Sequence, residues 1–172
     1  AIEDMALLQI LATDKTGTLT SPEIIFESLE NLSSETDETL RKVLVELNSQ
    51  SQEKNATAQA ILAEFGGKKT GLKVIDVMAF SSTRKLSGLT ISGENTERSV
   101  VFGAPEFILK NCIDEKISQQ IYERVNALAE KGLRVLLLAE FQKTGKISEL
   151  LKTEKLQPLA IVTLKNSLRQ NV

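Results

Sequence analysis

The chain has 172 residues, of which 41% are hydrophobic and 26% charged, and a formal net charge of −2. That is enough for one globular domain with a real core, and interspersed charge with a small acidic excess argues against nucleic acid as a partner. The absence of histidine excludes Ser-His-Asp and Cys-His chemistry, and a lone Cys112 excludes an intrachain disulfide or a thiolate metal site.

Cys112 reads as a buried, inert thiol, so any metal must be held by oxygen ligands, which favours Mg²⁺ or Ca²⁺. The longest apolar runs, residues 7–12 and 135–139, fall far short of the roughly 20 residues a spanning helix needs. No signal-peptide pattern is present. The chain starts at Ala1 with residues that already read as folded, so it is expected to be a piece of something longer.

Residues 6–12 form an apolar run that fits a buried strand, followed at once by Asp14-Lys15-Thr16-Gly17-Thr18-Leu19-Thr20. Ser21-Pro22 turns the chain, and residues 24–29 alternate as a second strand. Residues 33–37 are a helix start signal before Leu40, Val43, Leu44 and Leu47, which share one helical face. The polar segment 48–54 ends that helix. Asn55 caps another, with Ala56, Ala60, Ile61 and Phe65 on its apolar side and Gly66-Gly67 as its stop.

From Lys73 the period changes to two, with Val74, Asp76, Met78 and Phe80 on one side and Lys73, Ile75, Val77 and Ala79 on the other. Strands over 86–92 and 99–102 follow, joined by a turn at Gly93-Glu94-Asn95. Pro105 opens a short helix through Lys110. Ile117, Ile121, Val125 and Leu128 line a longer helix that ends at Gly132. Residues 134–141 and 159–164 are the last strands. The order predicts an α/β (α+β) fold, a mostly antiparallel sheet flanked by helices.

Asp14 follows a buried strand and opens into a Gly/Thr loop, the place where ligands bind open α/β sheets. A carboxylate there can attack a γ-phosphate to give an aspartyl-phosphate. Gly17 lets backbone approach phosphate, and Thr16 and Thr18 offer hydroxyls or amides. Lys15 can offset charge. The plainer reading is an aspartate opening a turn, with threonines bonding locally.

The whole heptad, DKTGTLT, resembles the phosphorylation signature of the P-type cation-transporting ATPases. Three further segments resemble the nucleotide-binding domain of that family in the expected order. These are Phe80-Ser81-Ser82-Thr83-Arg84-Lys85-Leu86-Ser87, then Gly103-Ala104-Pro105-Glu106, then Gly132-Leu133-Arg134-Val135-Leu136. The resemblance covers essentially the whole chain and suggests a bacterial relative.

It implies that Asp14 is the phosphorylated nucleophile, with Lys15 and Thr16 beside it, and that Asp14 and Thr16 contribute to a Mg²⁺ site. It implies ATP as ligand, with adenine stacked on Phe80 and bounded by Gly103 and Ala104, which remove bulk. Ser82, Arg84, Lys85 and Arg134 would line the nucleotide, the cations reaching towards phosphate. Each has a plain alternative: Phe80 as core, Arg84 and Lys85 as a solvated strand edge, Gly103-Ala104 as a turn, Arg134 as a helix-end cation.

The sequence departs from the family in three places. Phe102 stands where many relatives have lysine, and either packs on the base or belongs to the core. Residues 55–60 lack the glutamate that often contacts the adenine amino group, and Asn55 or Gln59 could substitute. Asn166-Ser167-Leu168-Arg169 lacks the Asp-Pro of the usual return motif.

The expected domains are 1–22, the start of a haloacid-dehalogenase-like phosphorylation domain, 23–160, the nucleotide-binding domain, and 161–172, a return hinge. The expected partners are ATP and the phosphorylation, actuator and membrane domains of the same polypeptide. The parent is expected in the cell membrane with this part on the cytoplasmic side, monomeric as a piece. It should bind nucleotide without turning it over, because the family's second acidic loop would lie beyond Val172. The rival readings are a soluble haloacid-dehalogenase-type phosphatase, against which Thr16 stands in place of the usual second aspartate, and a regulatory nucleotide-binding module.

Overall fold

A computed structural model describes residues 20–168 apart from 52–54, 67–69 and 94–95. Six strands and five helices follow one another as β1 (Thr20–Asn31), α1 (Asp37–Ser49), α2 (Ala56–Phe65), β2 (Lys73–Met78), β3 (Leu86–Ser92), β4 (Glu97–Gly103), α3 (Pro105–Leu109), α4 (Glu115–Glu130), β5 (Arg134–Phe141), α5 (Ile147–Thr153) and β6 (Leu156–Leu168). The strands form one sheet in the order β1-β6-β5-β4-β3-β2, and every neighbouring pair is antiparallel. The expected antiparallel sheet with flanking helices is the fold observed.

Both faces of the sheet are covered. Alternate strand residues such as Leu89, Val100, Phe102, Leu138 and Val162 pack against Leu40, Leu44 and Ile61 of α1 and α2. Their neighbours Val101, Leu137, Ala139 and Ile161 pack against Ile108, Ile121, Leu128 and Ile147 of α3, α4 and α5. Burying each such aliphatic side chain contributes about 1.5 to 3 kcal/mol relative to exposure. The α1 stripe of Leu40, Val43, Leu44 and Leu47 is buried as its spacing predicts, whereas Ile117 at the start of α4 stays exposed.

The two-residue period read over β2 holds in exposure, with Val74, Asp76 and Met78 half-buried and Lys73, Ile75 and Val77 exposed, but the half-buried residues do not share one core. Val74 pairs with Ile91, but Asp76 pairs with Thr90, so a bulge at Ile75–Asp76 inserts one residue. Val74 therefore packs with the α1/α2 core, whereas Met78 packs with the opposite core. The bulge also turns Asp76 towards α5, where its carboxylate accepts a hydrogen bond from the Ile147 amide at 2.9 Å.

Helix α5 was not expected from the sequence. Its own N-cap, Lys146, offers no side-chain hydrogen bond, so Asp76 satisfies an orphan amide from 71 residues away. Asp76→Ala is expected to destabilise the fold by about 1 kcal/mol, as loss of a cap does, and Asp76→Asn by less. Urea unfolding midpoints check this, and an unchanged midpoint for Asp76→Ala would refute it.

Arg98 of β4 anchors the approach to α1. Its guanidinium donates to both oxygens of Glu140 at 2.8 Å each, and to Glu35 at 2.6 and 2.8 Å. The Glu140 hydrogen bond, opposed by desolvation and joined by the Glu35 bond and the charge of both carboxylates, raises the Arg98 pKa further above its ordinary value.

Strand β1 begins at Thr20 and β6 runs through Ile161 to Leu168, so both cross the boundaries expected at 22 and 160. Ile161, Val162 and Leu164 are buried in the two cores. Among the described residues no helix is long and apolar enough to cross a membrane.

Candidate functional site

A cavity of about 460 Å³ opens on the α1/α2 face of the sheet. Its floor is built from Ser87 of β3, Phe102 and Gly103 of β4, and Leu136 of β5. Parity puts Ser87, Phe102 and Leu136 on this face, alongside the core residues Leu89, Val100 and Leu138. The end of α1 supplies Asn48, Gln50 and Ser51, and the start of α2 supplies Asn55, Ala56 and Thr57. The lip is formed by Ala79, Phe80 and Lys85 from the β2–β3 loop, by Ala104, Pro105 and Glu106 at the start of α3, and by Arg134.

Phe80 is 50% exposed. A half-exposed phenyl ring on a cavity lip has an open face to offer a flat ligand. It lies two residues past the end of β2, beyond the strand rather than at its last position.

Lys85 adopts a left-handed backbone, φ 56°, which costs a non-glycine residue on the order of 1 kcal/mol. Two hydrogen bonds hold it there: its amide donates to the Ser81 carbonyl at 2.7 Å, and its carbonyl accepts from the Ala104 amide at 2.9 Å. These bonds tie the β2–β3 loop to the start of α3. Arg134 reaches across to α2, its Nη1 donating to Thr57 Oγ1 at 3.2 Å. Among the described residues, Lys85 and Arg134 are the cations lining the cavity and Glu106 the carboxylate.

Of the residues singled out in the sequence, Phe80, Lys85, Gly103, Ala104, Arg134 and Asn55 therefore meet around one cavity, although they come from four separate segments. Asp14, Lys15 and Thr16 lie outside the described residues. Three others do not line the cavity. Ser82 is exposed on the loop. Arg84 folds back, its Nη2 donating to the Ala79 carbonyl at 3.0 Å, and so closes its own loop. Gln59 points to a second depression between α2 and β1, lined also by Glu23, Phe26 and Glu64. One helical turn separates it from Asn55, and Ala56 between them borders both depressions.

Two roles change. The missing Cβ of Gly103 does not clear space for a ligand. Built in place it would lie 2.5 Å from Leu86 Cα and closer still to the Lys85 carbonyl oxygen, so glycine is required for β3 and β4 to approach. Asn55 uses its side-chain oxygen to cap α2, accepting from the Ala58 amide at 2.9 Å.

Phe102 is 4% exposed and belongs to the core, and it also forms part of the cavity floor. Asn48 and Thr57 also line the cavity, as do Ser87 and Glu106 of the quoted segments, and the sequence assigned none of the four a role. Asn48 had a signal, since it stands four residues after Leu44 on the apolar stripe of α1, where a polar side chain is out of place.

No family model matches the chain. The curated proteins that match include two named as cation-transporting ATPases. One, from Streptococcus pneumoniae, is 31% identical over 172 residues, covering 99% of this chain and 20% of its own length. The other, from Methanocaldococcus jannaschii, is 32% identical over 150 residues, covering 83% of this chain and 18% of its own length. A solved zinc-transporting PIB-type ATPase matches with a TM-score of 0.59 at 17% identity, over 92% of this chain and 21% of that one.

This chain belongs to the P-type ATPases. It spans about a fifth of the length of the P-type ATPases it matches. Its sheet and flanking helices share the fold of part of the solved P-type ATPase.

Proposed function

We propose that this chain is the nucleotide-binding part of a cation-transporting P-type ATPase, and that ATP binds in the cavity between the sheet and the α1–α2 junction. The observation that carries the reading is the convergence of Phe80, Lys85, Gly103, Ala104 and Arg134 on one cavity. Its volume lies within the range of small-molecule sites, about 300 to 1,000 Å³.

The base stacks on Phe80 above a floor of Phe102 and Leu136, and Lys85 and Arg134 at the lip meet the phosphates. Asp14 is the nucleophile: a carboxylate oxygen bonds to the γ-phosphorus as the bond to the leaving ADP breaks. Its aspartyl-phosphate drives cation movement through membrane helices of the parent. Asp14 and Thr16 would share in holding Mg²⁺, which supplies charge neutralisation at the transferring phosphoryl. Among the described residues no group of three or more carboxylates, histidines or cysteines could hold a metal.

In this reading the nucleotide-binding domain takes in β1 and β6 whole, with phosphorylation-domain residues before Thr20, and it lies on the cytoplasmic side of the cell membrane. The chain by itself binds nucleotide without turnover.

Titrating ATP to millimolar concentration should shift the backbone amide signals of Phe80, Lys85, Gly103 and Arg134 and leave Gln59 in place. Phe80→Ala should weaken binding about tenfold or more, reflecting the roughly 1 to 3 kcal/mol that stacking a base contributes. Unmoved signals, or an affinity indifferent to Phe80, would sink the reading.

A further inference from the structure

The wall of the cavity contains a hydrogen-bond acceptor with nothing in the described structure to accept from. Asn48 is 6% exposed and lines the cavity from the last turn of α1. Its Nδ2 donates to the Leu44 carbonyl at 2.7 Å. That bond fixes the orientation of the amide, because the reverse would set two oxygens against each other. Its Oδ1 has no partner among the described residues. Yet no fully buried side-chain nitrogen or oxygen among them lacks a partner, so Oδ1 must reach open space, and the space this residue lines is the cavity. A nearly buried, oriented and unpaired acceptor asks for a donor from whatever fills the cavity.

We propose that Asn48 determines which base the cavity takes, accepting a hydrogen bond from the exocyclic amine of a 6-aminopurine nucleotide and rejecting a 6-oxopurine. The inference rests on the reading of the cavity as a nucleotide site. An oxo group in place of the amine would bring its oxygen against Oδ1 and leave both acceptors unpaired and desolvated. Asn55 is poorly suited to the task because its oxygen already caps α2, and Gln59 lines the other depression. Asn48 acts with Phe80: the ring fixes the plane of the base, and the amide reads one position on its edge.

The test compares binding of ATP, ITP and N6,N6-dimethyl-ATP to the wild-type chain by calorimetry, with the Phe80 amide signal followed for each. ATP should bind on the order of tenfold more tightly than ITP or the dimethyl analogue, each of which lacks an amine hydrogen at that position. In Asn48→Leu, close in size and without the acceptor, the three affinities should converge to within about twofold, mainly through weaker ATP binding. If the three bind wild type equally while each shifts Phe80, the assignment of Asn48 is overturned and the nucleotide site stands. If none binds, both fall. Equal wild-type affinities overturn the assignment even where Asn48→Leu does not fold, and Asn48→Asp, which keeps the acceptor, should then retain the preference for ATP over ITP.

Discussion

Gly103→Ala is expected to destabilise the fold by about 3 kcal/mol or more and to abolish nucleotide binding with it. Gly103 pairs with Leu86, and the added methyl would enter backbone rather than the yielding end of a side chain. Relief would require β3 and β4 to part. Lys85 cannot swing aside cheaply, because its left-handed backbone is held between Ser81 and Ala104. Any shift passes directly to the cavity lip, since Lys85, Gly103 and Ala104 all line it. Gly93→Ala is the control: the nearest atoms to an added Cβ lie at 3.8 and 3.9 Å, and a change within about 0.5 kcal/mol is expected. Urea unfolding of the two variants side by side measures the difference. Equal midpoints would refute the close-approach argument.

Asp14→Asn is expected to separate chemistry from binding. In the full-length parent it should remove the acid-stable phosphoenzyme and lower cation transport by on the order of 10⁴-fold, because a carboxamide oxygen is not a competent nucleophile. In the present chain ATP affinity should stay within about twofold, since every described residue lining the cavity lies between Asn48 and Leu136. A phosphoenzyme that persists in the variant would remove Asp14 from the role of nucleophile. Transport that survives without one would favour a regulatory nucleotide-binding module.

The elements legible in the sequence were those whose signals are local. Asn55 caps α2, Pro105 opens α3, and the bounds of β3 and β5 follow their apolar runs. Helix α5 was illegible because its cap comes from Asp76 on another strand, and no window of sequence holds both partners. The bulge in β2 was missed for a related reason: Val74, Asp76 and Met78 fit a clean alternation, and only the pairing with β3 reveals the extra residue. The structure brings Phe80, Lys85, Gly103, Ala104, Arg134 and Asn55 to one cavity but not Ser82, Arg84 or Gln59, since proximity in sequence to Phe80 or Asn55 does not fix the direction of a side chain. Asn48 reads as the polar close of a helix until the structure reveals the unpaired oxygen.

The first and last strands matter beyond the site they flank. Thr20 pairs with Leu168 and Asn31 with Ala160, so β1 and β6 run side by side along one margin of the sheet. Partner residues across an antiparallel pair stand about 5 Å apart. A recipient fold could therefore accommodate everything between them by opening a gap no wider than a single peptide spacing or two, leaving its own packing intact. The paired strands also form a double-stranded strap, so a twist applied at that margin would turn the cavity as one body with the sheet.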